Sequence, residues 1–373
     1  MRIVVNTRLL LKDRLEGIGW FEYETLKRLT TQHPECEFIF LFDRQYDKEF
    51  IFSDNIIPLI VYPPTRHPVL QYIWFEYSIP GVIKRMNPDL FLSPDGYLSL
   101  RSKVKSLAVM HDLNFEHNPE NLPYTVRKYY RHFFPKFARH AARIVTVSEF
   151  SKQDIAKQYN VSADKIDVVY NGANESYKPV DRQTRKATME KYTNGTPYFI
   201  FIGSLHPRKN LTGLFRAFDM FRLSGGNTKL LIVGEKRWWT DDIKNVYNKM
   251  QHRDDVILTG WVSTGELNKI IGSAVAMVYP SFFEGFGIPI VEAFYCGTPV
   301  ITSNQTSMPE VAGDAALLVD PHSPESIAEA MKQIAADEAL RSSLIQKGNA
   351  RKELFTWQKT ADRLWEAIIK TLK

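Results

Sequence analysis

Thirteen short apolar runs recur along the 373 residues, and their rhythm leaves few folds open to the chain. In the first half they are RIVVN near residue 4, FIFLF at 38–42, LIVY at 59–62, LFLS at 90–93, SLAVMH at 106–111, RIVTVS at 143–148 and DVVYN at 167–171. In the second half they are YFIFIG, LLIVG, DVILTG, AVAMVY, PVITS and ALLVD. Most are near-continuously apolar, the pattern of strands covered on both faces. Amphipathic stretches such as FEYETLKRLTTQ, after Gly19, lie between most of them. Strand–helix alternation of this kind is the signature of a mostly parallel, doubly wound α/β sheet. The length suits two such Rossmann-like domains with a cleft between them. A polar segment, YKPVDRQTRKATMEKYTNGTP, breaks the rhythm at 177–197, so domains are expected at 1–178 and 196–357. From about Pro324 the tail reads as successive amphipathic helices ending in TADRLWEAIIKTLK.

Composition excludes several classes. An apolar content of 44% and a charged content of 24% belong to a globular chain, not a disordered one. No run approaches the 18 or so apolar residues of a membrane span. The start, MRIVVNT, has no secretory apolar region behind it, and Cys36 and Cys296 fit neither a disulfide framework nor a zinc site. A cytoplasmic setting is therefore expected. The net charge of +6 suits anionic lipid, nucleic acid or a phosphorylated small molecule. The segment YTVRKYYRHFFPKFARHAARI at 124–144 is dense in Arg, Lys, Tyr and Phe. It reads as a surface helix with an aromatic inner side, or as a peripheral contact with an anionic membrane; binding of nucleic acid is not expected. Pro135 argues against one uninterrupted helix there.

The chemistry concentrates at 279–299, YPSFFEGFGIPIVEAFYCGTP. A strand runs into a glycine-punctuated loop, Pro289 opens a helix, and Gly297 closes it. Such a turn directs backbone N–H groups of Gly285, Phe286, Gly287 and Ile288, and a positive helix end, at whatever lies above the sheet. Glu284 and Glu292 flank it, and ionised carboxylates are acceptors suited to sugar hydroxyls. Acceptors for hydroxyls around donors for phosphate suit a nucleotide sugar.

Further candidates sit at other strand ends. Gly17 and Gly19 precede a helix, but Glu22 stands where a dinucleotide fingerprint needs its third glycine, which disfavours NAD. His111 and Asp112 follow SLAVM, at the edge where open α/β sheets bind ligands. Gly203 and Ser204 end a strand, and Arg208 and Lys209 precede a helix. Two cations at a helix start are unfavourable unless an anion sits there, and a diphosphate would meet that need. No Asp-x-Asp and no His/Cys cluster with metal spacing occurs, so no metal and no other cofactor is expected.

In this order the glycine loop, the His111-Asp112 pair, Arg208-Lys209 and EGFGIPIVEA resemble the family-4 retaining glycosyltransferases. The last is similar to their Glu-x7-Glu signature. The resemblance implies the two-domain GT-B fold, with the final helix crossing back to the first domain. It implies that Glu284 contacts donor-sugar hydroxyls, Glu292 holds the ribose, His111 lies beside the sugar, Lys209 binds the diphosphate, and Gly260-Trp261-Val262-Ser263 lies against the base. Trp20 stands where members often have Arg, and Ser204 where many have a basic residue, which gives Arg208 a share of the diphosphate. The implied catalytic set is His111, Glu284 and Lys209, with a nucleotide-sugar donor and a glycan or lipid-linked acceptor. The PRKN run further resembles a branch containing mannosyltransferases of polysaccharide and O-antigen assembly. A GT-B epimerase or phosphorylase, or a non-catalytic binding protein, stays open at this point.

Overall fold

The computed structural model describes residues 1–12 and 15–373. They form two compact units, Met1–Gly172 with Trp357–Lys373, and Ala173–Thr356. The first unit is built on β1 (Arg2–Asn6), β2 (Glu37–Phe42), β3 (Ile56–Ile60), β4 (Leu90–Ser93), β5 (Ser106–Val109), β6 (Arg143–Thr146) and β7 (Ile166–Val168). All pair in parallel, in the order β3-β2-β1-β4-β5-β6-β7. Alternate residues face opposite sides, as the strand period requires. Ile3, Val5, Phe38, Phe40, Leu90 and Leu92 enter one core, while Val4, Ile39, Leu41 and Phe91 enter the other.

The helices Gly17–Gln32 and Trp357–Leu372 pack together on the first of these faces. Trp357, Leu364 and Ile368 are buried there, and at about 1.5–3 kcal/mol each they tie the chain's end to the first sheet. Gly172 makes room for that return. A Cβ on it would stand 2.5 Å from the Trp357 backbone nitrogen.

The second unit carries β8 (Tyr198–Ile202), β9 (Lys229–Val233), β10 (Val256–Gly260), β11 (Ala276–Tyr279), β12 (Val300–Ser303) and β13 (Ala316–Val319), ordered β10-β9-β8-β11-β12-β13. Each sheet reverses its strand order once, at β1/β4 and at β8/β11. Ligands of open α/β sheets bind at such switch points, beyond the carboxyl ends of the strands.

Three expectations change. The expected boundary interval, 177–197, begins a few residues after the division between the compact units. It is mostly the helix Arg182–Thr193, held inside the second unit by Arg185 on the Gly272 carbonyl (3.1 Å) and by Lys191 and Tyr192 on Glu266 (2.5 and 2.8 Å). The division falls at Gly172/Ala173 instead. The third strand lies at Ile56–Ile60, slightly earlier than the LIVY run, and includes Pro58, which an edge strand tolerates. Finally, Tyr124–His140 is one continuous helix despite Pro135. Burial of Phe134, Phe137 and Ala138 on its inner side holds it through the lost hydrogen bond. Among the described residues no helix is long and apolar enough to cross a membrane.

Candidate functional site

The β8/β11 switch point gathers the cationic and acidic candidates of the second unit. After β8 the chain turns at Gly203 and Ser204, which is exposed, and makes a short turn at Pro207–Lys209. Asn210, in the left-handed conformation with φ 59°, then caps the helix Leu211–Leu223, its Oδ1 accepting from Gly213 N at 3.0 Å. The two cations therefore sit just before the cap instead of on the helix.

Their counter-ion comes from the opposite loop. Lys209 Nζ lies 2.6 Å from Glu284 Oε1, and Arg208 Nη1 lies 2.7 Å from Glu284 Oε2. Lys209 also donates to Tyr279 Oη and stands 4.7 Å from that ring's centroid, and Tyr279 Oη donates to Glu284 Oε1 at 2.9 Å. Lys209 and Glu284 are 7% and 6% exposed, so neither charge would be tolerated there unpaired. Burial pushes the Glu284 carboxyl up, but Arg208 and Lys209 outweigh it and bring it down to about 2. Among the described residues, two cations share this one carboxylate.

The glycine loop is pinned from below. Thr306 Oγ1 accepts from Glu284 N at 3.3 Å, and Ser307 Oγ donates to the carbonyls of Glu284 (2.9 Å) and Phe286 (3.1 Å). With the Glu284 and Phe286 carbonyls held toward Ser307, the Gly285 and Gly287 N–H groups point to the opposite side of their peptide planes. Thr306 has φ 58°, a strained setting for a β-branched residue and one met mostly at functional sites. Phe286 is buried edge-on to Phe355 at 5.5 Å, so its side chain anchors the loop. Gly287, at φ 99°, caps the helix Ile288–Tyr295. Pro289 has no N–H and Ile290 N donates to the Gly287 carbonyl at 3.0 Å, which leaves the Ile288 N–H as the one at the helix start with no intrahelical acceptor. Pro289 falls at the second helical position, one residue later than expected. Glu292, one turn in, is half-buried; burial raises its carboxyl to about 7, opposed by the Tyr177 hydroxyl. At the neighbouring edge, Gly260 has φ 73° and Trp261 stands exposed beyond β10.

In the first unit, Gly17 and Gly19 are the opening residues of the Gly17–Gln32 helix, not of a loop before it. A Cβ at Gly19 would meet the Leu9 carbonyl oxygen at 3.3 Å, so this glycine serves packing, whereas a Cβ at Gly17 would meet nothing within 4 Å among the described residues. His111 Nε2 lies 2.9 Å from the Pro94 carbonyl oxygen. A carbonyl only accepts, so Nε2 carries the proton and Nδ1 is left as an acceptor. Burial lowers the His111 pKa, which keeps the ring neutral at pH 7. Asp112 Oδ1 accepts from Asn114 N at 2.9 Å and caps a short turn.

The β1/β4 switch point holds a group that the sequence reading missed. Arg8 Nε donates to Asp95 Oδ2 (2.5 Å), Asn6 Nδ2 to Asp95 Oδ1 (2.8 Å), and the Arg8 guanidinium lies 4.6 Å from the Tyr97 ring centroid. Glu22 is buried beside this pair, and burial with the Asp95 charge pushes its carboxyl well above the usual range, against Arg8. The available signal was Asn6-Thr7-Arg8 and Ser93-Pro94-Asp95, polar triplets at the carboxyl ends of two apolar strands. Tyr279, Thr306 and Ser307 were also missed, since nothing in their spacing distinguishes them.

Comparison with known proteins agrees with this arrangement. "Glycosyltransferase Family 4" matches residues 16–177 and "Glycosyl transferases group 1" matches residues 183–351. The O-antigen chain mannosyltransferase B of Escherichia coli is 32% identical over 96% of this chain and 97% of its own length. The O-antigen chain mannosyltransferase RfbU of Salmonella typhimurium is 31% identical over 89% and 90%. Among solved structures, the sucrose-phosphate synthase of Thermosynechococcus elongatus superposes with a TM-score of 0.80 over 99% of this chain and 98% of that one, at 18% identity. HepE of Anabaena, solved with UDP and glucose, gives 0.77 over 99% of both at 14% identity. These likenesses establish the GT-B fold, and the matches across both halves establish the lineage: the chain belongs to the group 1, family-4 glycosyltransferases.

Proposed function

We propose that this glycosyltransferase moves a hexose, mannose being the favoured sugar, from a nucleotide-diphosphate donor to a glycan or lipid-linked saccharide. The reaction retains the anomeric configuration, needs no metal, and serves polysaccharide assembly of the O-antigen type. The names of the two O-antigen mannosyltransferase relatives support the sugar and the setting. The observation that carries the donor site is the Arg208–Lys209–Glu284 cluster beneath the glycine loop.

The donor's diphosphate carries one more negative charge after the glycosidic bond breaks than before. Lys209, Arg208 and the Ile288 N–H at the start of the Ile288–Tyr295 helix meet that charge. Interactions strongest in the transition state and product raise the rate, not merely the affinity. Because these cations are fixed in place, they supply what a divalent ion supplies elsewhere. Glu284 holds hydroxyls of the sugar, and ionised Glu292 holds those of the ribose. Neutral His111 accepts a hydrogen bond from a sugar hydroxyl at Nδ1. The acceptor hydroxyl attacks on the face the leaving phosphate departs from, and that phosphate takes its proton.

The test combines turnover in excess chelator, the anomeric coupling of the product by proton NMR, and thermal shift with UDP, GDP, ADP, CMP and their sugar conjugates. Expected are chelator-insensitive turnover, an anomer matching the donor, and stabilisation by one diphosphate that Lys209→Ala abolishes. An inverted product refutes retention, and unchanged affinity in Lys209→Ala refutes the diphosphate assignment. Release of free nucleotide without an acceptor would favour an epimerase or phosphorylase.

A further inference from the structure

Three strand ends of the second sheet are stitched together beside the cation pair. Gly203 N donates to the Val233 carbonyl at 3.0 Å, and Gly234 N to the Gly260 carbonyl at 3.1 Å. The approach is close enough that a Cβ on Gly234 would stand 1.9 Å from the Gly203 carbonyl oxygen. The loops after β8, β9 and β10 therefore leave the sheet side by side.

The loop after β9 carries two adjacent tryptophans with different surroundings. Trp239 packs inward, its ring 6.1 Å from Phe215 on the helix Leu211–Leu223 and 5.7 Å from Tyr247 on the helix Asp241–Lys249. With its neighbour anchored in this way, Trp238 remains 49% exposed, in a chain that buries Trp74 and Trp357 almost completely. Its ring lies 5.3 Å from that of His206 and is tilted 59° to it. His206 in turn caps the short turn that carries the two cations, Nδ1 accepting from Arg208 N at 3.2 Å. A half-open indole thus stands at the edge of the Arg208–Lys209 turn.

Strand order gives that position a meaning. β9 and β10 lie on the opposite side of β8 from β11. In the proposed donor site the diphosphate meets Arg208 and Lys209 beyond β8, and the sugar meets Glu284 on the β11 side. The ends of β9 and β10 are the side left for the base. Trp238 stands there, and Trp261, 74% exposed, follows β10 one strand further out.

We propose that Trp238 stacks on the nucleobase of the donor and makes the site select a purine over a pyrimidine. Every base has a π-face that an indole can cover, and a bicyclic base covers more of it than a single ring does. The inference rests on the donor-site reading and names the base class that reading leaves open. Trp238 acts in binding and selection, and takes no part in the bond that breaks.

The parent, Trp238→Ala, Trp238→Phe and Lys209→Ala are titrated calorimetrically with ADP, GDP, UDP, CDP and inorganic pyrophosphate. The parent is expected to bind a purine diphosphate more tightly than either pyrimidine diphosphate. Trp238→Ala should lower affinity for that purine diphosphate about 5- to 150-fold, the size of one base–aromatic stack, and narrow the gap to UDP and CDP. Its affinity for pyrophosphate, which has no base to stack, should match the parent's, and this also shows that the variant's site is folded. Trp238→Phe should recover part of the loss. Equal losses for pyrophosphate and nucleotide, unchanged nucleotide affinity in Trp238→Ala, or a parent that prefers a pyrimidine each overturns the proposal. Failure of the donor-site reading is distinguishable, because pyrophosphate affinity would then be the same in Lys209→Ala as in the parent, and both conclusions would fall together.

Discussion

Glu284→Gln and Lys209→Met should affect nucleotide binding in opposite directions. In the unliganded protein the carboxylate holds both cations, at 2.6 and 2.7 Å. Its pKa of about 2, against an ordinary 4.5, corresponds to about 3 kcal/mol of net favourable interaction with its surroundings. A diphosphate must share those cations with it. Glutamine keeps the shape and removes the competing charge, so a nucleoside diphosphate should bind more tightly, by about 1–2 kcal/mol or roughly 5- to 30-fold. Turnover should fall, because the sugar loses an ionised acceptor. Lys209→Met removes a charge-assisted hydrogen bond worth about 1.5–3 kcal/mol, and affinity should drop about 10- to 100-fold. Glu284→Gln leaves two cations without their carboxylate and Lys209→Met strips the buried carboxylate of one of its two partners, so both should melt several degrees lower without ligand. Only Glu284→Gln should recover that loss in saturating diphosphate. Isothermal titration of the three proteins decides the matter. If Glu284→Gln weakens nucleoside diphosphate binding as much as Lys209→Met does, the carboxylate is not competing with the diphosphate and the argument fails.

Glu292 gives a pH prediction. Its folded pKa is raised from 4.5 to about 7, so the folded state holds a proton that the unfolded state has released. Its stability contribution is therefore greatest below pH 4.5 and is lost as the pH rises toward 7. Donor affinity should rise through the same upper limit as the ribose acceptor ionises. Glu292→Gln should flatten both profiles, which denaturant melts and donor KM across pH would reveal. His111→Gln keeps a neutral acceptor and should lower kcat more than donor affinity, while His111→Phe should remove activity. Single-turnover rates would contradict the role if both equalled the parent. Gly172→Ala drives a Cβ to 2.5 Å from a backbone nitrogen of the C-terminal helix, and overpacking of this kind costs about 1–3 kcal/mol. A denaturant midpoint equal to the parent's would mean the helix end yields freely.

The strands were legible because parallel strands covered on both faces leave uninterrupted apolar runs, and LFLS and RIVVN coincide with β4 and β1 residue for residue. Their order across each sheet was not, since the hydrogen bonds that join strands are made by backbone and leave no mark on composition. The interval 177–197 misled because charge and polarity describe an exposed helix as well as a linker; what anchors it, Arg185 on a carbonyl and Tyr192 on Glu266, is long-range. Pro135 misled in the reverse sense, a local rule overridden by tertiary packing. Arg208, Lys209 and Glu284 could each be picked out by position, but not their pairing, because 75 residues separate Lys209 from the carboxylate it binds.

That pairing resolves a difficulty the sequence raised. Two adjacent cations before a helix demand an anion, and a substrate cannot be the only one, because the protein must fold before the substrate arrives. A buried lysine without a partner would give up its proton or destabilise the unit. Glu284 supplies the missing charge in the resting state, and Tyr279 accepts a second hydrogen bond from Lys209. In the proposed reaction the arriving diphosphate takes over part of that duty, and the carboxylate gains lone pairs for the sugar that comes with it. A donor lacking the diphosphate cannot free the carboxylate, and a diphosphate lacking the sugar leaves it without hydroxyls to accept from. On this reasoning the intact nucleotide sugar should bind more tightly than the sum of its parts implies, and Glu284→Gln should abolish that excess. Titrations of nucleoside diphosphate, hexose 1-phosphate and intact donor against both proteins measure the coupling, and an excess that survives in the variant would place its origin outside the ion-pair cluster.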